Sequence, residues 1–239
     1  MKRIHLISNP RNLSTALMYS FAQRNDTRVV DEPLYAYYLK LRPEVDHPGK
    51  EEILQSQSTH LQEVIDDVLL KTYDRPVLFI KNMAHHLIEM ETDFLLSMTN
   101  LFLIRNPKQL IASMAKVMEQ PGMEDIGARQ QYELFEWLSR KGHKPLVLDS
   151  GELLKDQHTV MPKLCAALEI PYEPNMLEWK PGALPEDGVW SKYWYHNVHQ
   201  STGFSPQPSS SRPLPEHLKP LYDEALPYYK ALYQHAIKA

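Results

Sequence analysis

Between an apolar run at 4–7 and the helix-like stretch TALMYSFAQ at 15–23, the chain sets Pro10, Arg11, Asn12, Leu13, Ser14 and Thr15 on a turn. Such a strand-to-helix turn aims unpaired backbone N–H groups and the positive end of a helix dipole at one spot, so an anion is its natural guest. The glycine and lysine of a nucleotide-triphosphatase phosphate loop are absent here, which argues against ATP hydrolysis by that route. Two further places carry chemistry. Glu32, in VVDEPLY, stands at the carboxyl end of the second apolar run, where open α/β sheets gather ligands, and its carboxylate could take a proton from a hydroxyl. Asp31 is the acidic alternative, turned to the opposite face by strand alternation. In FIKNMAHHL, extended geometry puts Lys81, Met83 and His85 on one face and His86 on the other, so Lys81 could stabilise developing negative charge while His85 serves as base or substrate contact. No third ligand is placed beside the two histidines, so no metal is expected.

The elements that must position these residues follow from the apolar pattern. Near-continuous runs at 4–7, 28–31, 76–81, 101–105 and 145–149 alternate with amphipathic stretches. That pattern predicts a three-layer α/β/α fold around a central parallel sheet of about five strands. Ile53, Gln57, Leu61, Val64, Ile65 and Val68 share one face over 51–72, which predicts one surface helix there. Asn106 is placed as an N-cap with Pro107 in the first helical position, and Lys141–Gly142 closes the helix before it. Residues 171–213 fit no regular element, although their aromatic content argues against disorder. The stretch 215–239 reads as a helix kinked at Pro227, with Leu218, Leu221, Tyr222, Ala225, Tyr229, Leu232 and Tyr233 inward.

At 239 residues the chain is expected to form a single domain over 1–239. A net charge of −4 offers no general attraction to nucleic acid or an anionic membrane, so neither is expected as a partner and any anion site must be local. One cysteine, Cys165, rules out an internal disulfide and reads as a buried thiol, and the short apolar run at the N-terminus is neither a signal peptide nor an anchor. A cytoplasmic protein is expected.

The turn NPRNLSTAL resembles the 5′-phosphosulfate loop of sulfotransferases, P-[KR]-[SN]-G-[ST]-[ST]. Pro10, Arg11, Asn12, Ser14 and Thr15 match it, and Leu13 stands where that family usually has glycine. A leucine resists positive φ, so the backbone there must differ or be strained. The segment LIRNPKQLIAS is similar to the family's 3′-phosphate site, an arginine ending a strand and a serine eight positions later, here Arg105 and Ser113.

The resemblance implies a P-loop-NTPase-like sulfotransferase fold. It also implies transfer of a sulfuryl group from 3′-phosphoadenosine 5′-phosphosulfate (PAPS) to a hydroxyl or amine, without a metal. Arg11, Asn12, Leu13, Ser14 and Thr15 would hold the 5′-phosphosulfate and Arg105 with Ser113 the 3′-phosphate. Arg11 and Lys81 would offset charge on the leaving oxygen, and Glu32 or His85 would deprotonate a small-molecule or peptide acceptor. The family's late cofactor-closing loop is matched to WSKYWYHNVHQSTGF, with Lys192, Ser201 and Thr202 as cofactor contacts and Trp190 and Trp194 for stacking. The acceptor pocket is expected from 34–50, 118–128 and 180–212. Two other classes stay open: a nucleotide or small-molecule kinase on a related scaffold, and a non-catalytic nucleotide-binding protein.

Overall fold

Runs of branched and aromatic side chains buried on both faces drive the chain into a parallel sheet sandwiched by helices. The computed structural model describes residues 1–205 and 212–239. Strand β1 (Lys2–Ser8) leads through α1 (Ser14–Ala22) to β2 (Thr27–Asp31). After β2 come α2 (Tyr35–Leu41), α3 (Lys50–Ser56) and α4 (Leu61–Val64), which runs on into a π-helical turn, Ile65–Leu69. Strand β3 (Val77–Met83) ends in a 3₁₀ turn, Ala84–His86, and β4 (Thr99–Ile104) passes into α5 (Pro107–Met114). Then follow α6 (Met123–Ile126), α7 (Ala128–Arg140), β5 (Leu146–Asp149), α8 (Ser150–Lys155) and α9 (Gln157–Ala167). The short helices α10 (Ser191–Trp194) and α11 (His196–His199) precede α12 (Lys219–Tyr233) and β6 (Ala236–Ile237).

The sheet order is β2-β3-β1-β4-β5-β6, and every pairing is parallel. From β1 the chain moves first to one side, then to the other, so its path reverses at β1 and β4; in open α/β sheets ligands collect at the carboxyl ends of strands at such a point. One face of the sheet packs on α1, α8 and α9, with Phe21 stacked on Phe79 at 4.0 Å. The other packs on α4, α7 and α12 through Ile7, Ile80, Val64, Phe135 and Leu232. Cys165 is buried, and burial pushes its thiol up to about 11, which leaves it unreactive at neutral pH.

Three expectations are corrected. The helix expected over 51–72 is broken after Ser56. Ser58 accepts from the backbone N–H of His60 at 3.1 Å, which offers the chain a turn instead of a continued helix. Gln57 leaves the apolar stripe to accept from Ala36 N and donate to Glu32 O, both at 3.1 Å. The C-terminal helix stops at Tyr233, and a two-residue strand pairs Ala236 with Val147 and Ile237 with Leu148. Two residues carry no readable period, so this sixth strand is specified by the open edge of β5. The stretch 171–213 is pinned where it is described: Glu178 bridges Gly203, and Trp179, Trp190 and Tyr195 are buried.

Candidate functional site

The first half of the site is the turn after β1. Arg11 and Leu13 adopt φ of 66° and 67°, the left-handed region that costs a side-chain-bearing residue about 1–2 kcal/mol. Leucine at a glycine-like position is therefore strained, the second of the two options its type allows. Leu13 also starts α1 with no side-chain cap, so the first-turn N–H groups of that helix face outward for an acceptor.

Surrounding residues hold this strained loop. Gln131 on α7 donates to Ile7 O at 2.9 Å and Leu103 O at 3.0 Å, filling the gap where β1 and β4 part. Asn12 donates to the same Leu103 carbonyl at 2.7 Å, and Asn9 donates to Gln131 Oε1 at 2.7 Å. Gly127, at φ 61°, packs so closely that a Cβ there would lie 2.4 Å from Asn9 Oδ1.

Arg11, Arg105 and Ser113 meet at this loop. Arg11 Nε donates to Ser113 Oγ at 3.2 Å, and Arg105 Nη1 donates to Arg11 O at 2.5 Å. Arg105 lies where β4 runs into α5, whose Asn106 accepts from Lys108 N at 3.0 Å as the expected cap. Burial and then the charge of Arg11 hold Arg105 down to about 10. Partial burial and then the charge of Arg212 lower Arg11. Arg11 is thus repelled by Arg105 on one side and Arg212 on the other, and a polyanion is the ligand that relieves such repulsion. The sequence reading missed Arg212, which stands alone among Ser and Pro with no motif to mark it.

The second half lies at the ends of β2 and β3, on the far side of β1 from β4, with β3 two strand spacings from β4 and β2 three. Glu32 sits at φ 40° with its N–H on Lys81 O at 2.7 Å. Lys81 donates to Asp31 Oδ1 at 2.8 Å, Glu32 Oε1 at 2.5 Å and the Tyr195 hydroxyl at 2.6 Å, and all four side chains are buried. Burial raises the Glu32 carboxyl, Lys81 opposes that, and Asp31 adds to it. Asp31 does not point away as strand alternation suggested, because the left-handed turn at Glu32 ends the alternation and brings both carboxylates to one lysine.

The histidine assignment also changes. Strand geometry stops at Met83, so the 3₁₀ turn rotates His86, not His85, toward Glu32, with Nε2 at 3.8 Å from Oε2. His85 is half-buried against Tyr38 at 5.0 Å. Burial holds His86 well below its ordinary value and His85 down to about 4, so both are neutral. Tyr35 stacks on His86 at 4.6 Å and bonds His47, while Trp194 covers His47 at 5.4 Å. Segments 34–50 and 180–212 meet beside Glu32 through Tyr35, Trp190 and Tyr195, and 206–211 lie outside the described residues. From 118–128, the charges of Asp125 and Glu124 reach Tyr38. An open cavity of about 300 Å³ follows the outer edge of β2 beside Asp31, away from the two arginines.

Of the late-loop residues, Lys192, Ser201 and Thr202 join neither cluster. Lys192 is exposed and pairs with Glu52 on α3 at 2.6 Å. Ser201 accepts from Trp179 Nε1 at 3.0 Å, and Thr202 is exposed with its carbonyl on Trp179 N. Trp190 is buried beside Tyr195, and Trp194 covers a histidine. Aromatic packing of the loop onto the domain places the two tryptophans. Among the described residues no group of three or more His, Cys, Asp or Glu is placed to hold a metal, and no helix is long and apolar enough to cross a membrane.

The sequence and the fold have counterparts among known proteins. A sequence profile of the Sulfotransferase domain matches residues 1–236. The chain belongs to the sulfotransferase family. Its enzymes transfer sulfate groups, and the six-stranded parallel sheet agrees with solved sulfotransferase domains. The sulfotransferase domain of the Synechococcus PCC 7002 olefin synthase superposes with a TM-score of 0.64 at 14% identity, covering 98% of this chain and 94% of that one. The sulfotransferase domain of the curacin biosynthetic pathway superposes with a TM-score of 0.56 at 16% identity, covering 97% of each chain. Two curated relatives from Arabidopsis thaliana are similar in sequence. Branched-chain-amino-acid aminotransferase-like protein 1 is 39% identical over 97% of this chain, and protein 2 is 35% identical over 98%. This chain spans 42% of the length of each.

Proposed function

We propose that this sulfotransferase moves a sulfuryl group from PAPS to the hydroxyl or amine of a small molecule or peptide side chain. The observation that carries the reading is the meeting of Arg11, Arg105 and Ser113 around a strained turn at the head of α1, with a base-bearing cluster on the same edge of the sheet. Arg11, Ser14, Thr15 and the first-turn N–H groups of α1 hold the 5′-phosphosulfate. Arg105 and Ser113 hold the 3′-phosphate, with Arg212 close enough to add its charge.

The donor supplies the group in flight: its sulfur bonds the acceptor oxygen or nitrogen as the bond to the 5′-phosphate oxygen breaks. Arg11 and the loop N–H groups offset the charge that gathers on that leaving oxygen. Glu32 takes the acceptor's proton, for which its raised proton affinity suits it. His86, neutral and facing Glu32, replaces His85 as the histidine near that proton. Tyr35, Tyr38 and His47 give the acceptor an aromatic wall.

The test is mass-spectrometric detection of SO₃ transfer from PAPS to a mixed panel of phenols, alcohols and amines, with ATP–Mg²⁺ as the parallel donor. The reading expects a sulfated product with PAPS and none phosphorylated with ATP. Phosphoryl transfer, or no product from any acceptor class, overturns it.

A further inference from the structure

Within WSKYWYHNVHQSTGF the sequence gives Tyr195 no role of its own, yet its hydroxyl is the most connected one beside Glu32. It accepts from Lys81 Nζ at 2.6 Å and from Trp190 Nε1 at 3.1 Å, and it donates to Asp31, whose oxygens lie at 2.8 and 2.9 Å. It stands 3.4 Å from Glu32 Oε1. The residue comes from the late segment, which also sends the Gly188 N–H to Asp31 Oδ2 at 3.1 Å.

Two carboxylates share one ammonium here, so the hydrogen bonds decide how its charge is divided. Asp31 receives Lys81 on Oδ1, Gly188 on Oδ2 and the single Tyr195 proton, which both oxygens face. Glu32 receives Lys81 on Oε1, while Oε2 faces His86 at 3.8 Å. Asp31 is the satisfied partner, and Glu32 keeps an oxygen with which to exchange a proton. Around Glu32 stand Asp31 from β2, Lys81 from β3, His86 from the 3₁₀ turn, Tyr35 from α2 and Tyr195; the Tyr195 ring in turn borders His199 at 6.1 Å. Burial keeps His86, Tyr35 and Tyr195 neutral, so the charge to be divided is that of Lys81.

We propose that Tyr195 is a positioning residue: by donating to Asp31 it leaves Lys81 available to Glu32, so the late segment, when seated on the sheet, sets the proton affinity of the base. This rests on the reading of Glu32 as base. The experiment follows the Glu32 carboxyl directly and needs no acceptor: ¹³C NMR of the full chain labelled at Asp and Glu carboxyls, with the Glu32 signal assigned by its loss in E32Q. Without the Tyr195 hydroxyl, Asp31 draws Lys81 toward itself and Glu32 loses a stabilising contact. Y195F is therefore expected to move the Glu32 midpoint up by about one pH unit. D31N gives Lys81 wholly to Glu32 and moves the midpoint down. W190F, which removes the indole donor to Tyr195 together with part of a buried ring, moves it up by less and serves, where it stays folded, if circular dichroism shows Y195F unfolded. A midpoint unchanged in all folded variants, or shifts of the opposite sign, overturns the proposal. Wild-type transfer by E32Q would instead overturn the base reading, an outcome the NMR titration does not share.

Discussion

Replacing Arg105 by methionine separates ligand binding from folding. In the native protein burial and Arg11 lower the Arg105 guanidinium from 12.5 to about 10, which corresponds to roughly 3 kcal/mol spent on keeping it charged. Against this stand the contacts that hold the guanidinium, among them its hydrogen bond to Arg11 O and the charge of Asp149, so that the two sides come close to cancelling. R105M is therefore expected to leave the melting temperature of the ligand-free protein within a few degrees of wild type. Binding moves the other way. Loss of a charge-assisted contact to a phosphate costs about 3 kcal/mol, more than 100-fold in Kd. The assay is differential scanning calorimetry of both proteins with and without adenosine 3′,5′-bisphosphate, joined to titration calorimetry. A variant that melts several degrees lower without ligand, or that binds the nucleotide within a few fold of wild type, would refute the assignment of Arg105 to an anion site.

Three more outcomes follow. E32Q should lower the transfer rate by about 100-fold or more while leaving nucleotide affinity intact, measured as single-turnover product formation. G127A should press on Asn9 at a left-handed position, lower stability by about 2 kcal/mol in urea unfolding and weaken nucleotide binding through the displaced loop. Burial holds His5 down to about 4 against 6.5 in the unfolded chain, so the unfolded state binds the extra proton first as pH falls. Stability should therefore drop by about 3 kcal/mol between roughly pH 6.5 and 4, and His5→Gln should flatten that slope in denaturant titrations.

Much of the fold was legible because near-continuous apolar runs of four to six residues leave parallel strands as their natural reading. The Asn106–Pro107 helix start was legible because a cap and a proline fix it locally, whereas Arg105 and Ser113 were singled out by the resemblance to the sulfotransferase 3′-phosphate site. What the sequence hid depends on tertiary context. Strand alternation put His85 beside Lys81, but the chain leaves the strand at Met83, and one 3₁₀ turn exchanges the two histidines. Gln131 reads as any polar residue on a surface helix until the parted carbonyls of Ile7 and Leu103 need a donor. Lys192 looked poised for phosphate in a loop of aromatics, yet Glu52, 140 residues earlier in the chain, claims it. Tyr195 had no partner in its neighbourhood of the sequence to suggest a role, since Asp31 and Lys81 reach it only through the fold.

The central claim is that a doubly phosphorylated adenosine is held between the turn at Arg11 and the arginine ending β4. Titration calorimetry of the wild-type chain with adenosine 3′,5′-bisphosphate and with ADP tests it most directly. The account predicts saturable binding of the bisphosphate, with ADP weaker by at least an order of magnitude, since Arg105 and Ser113 then meet no 3′-phosphate. Equal affinity for the two nucleotides, or no heat from the bisphosphate, would contradict it.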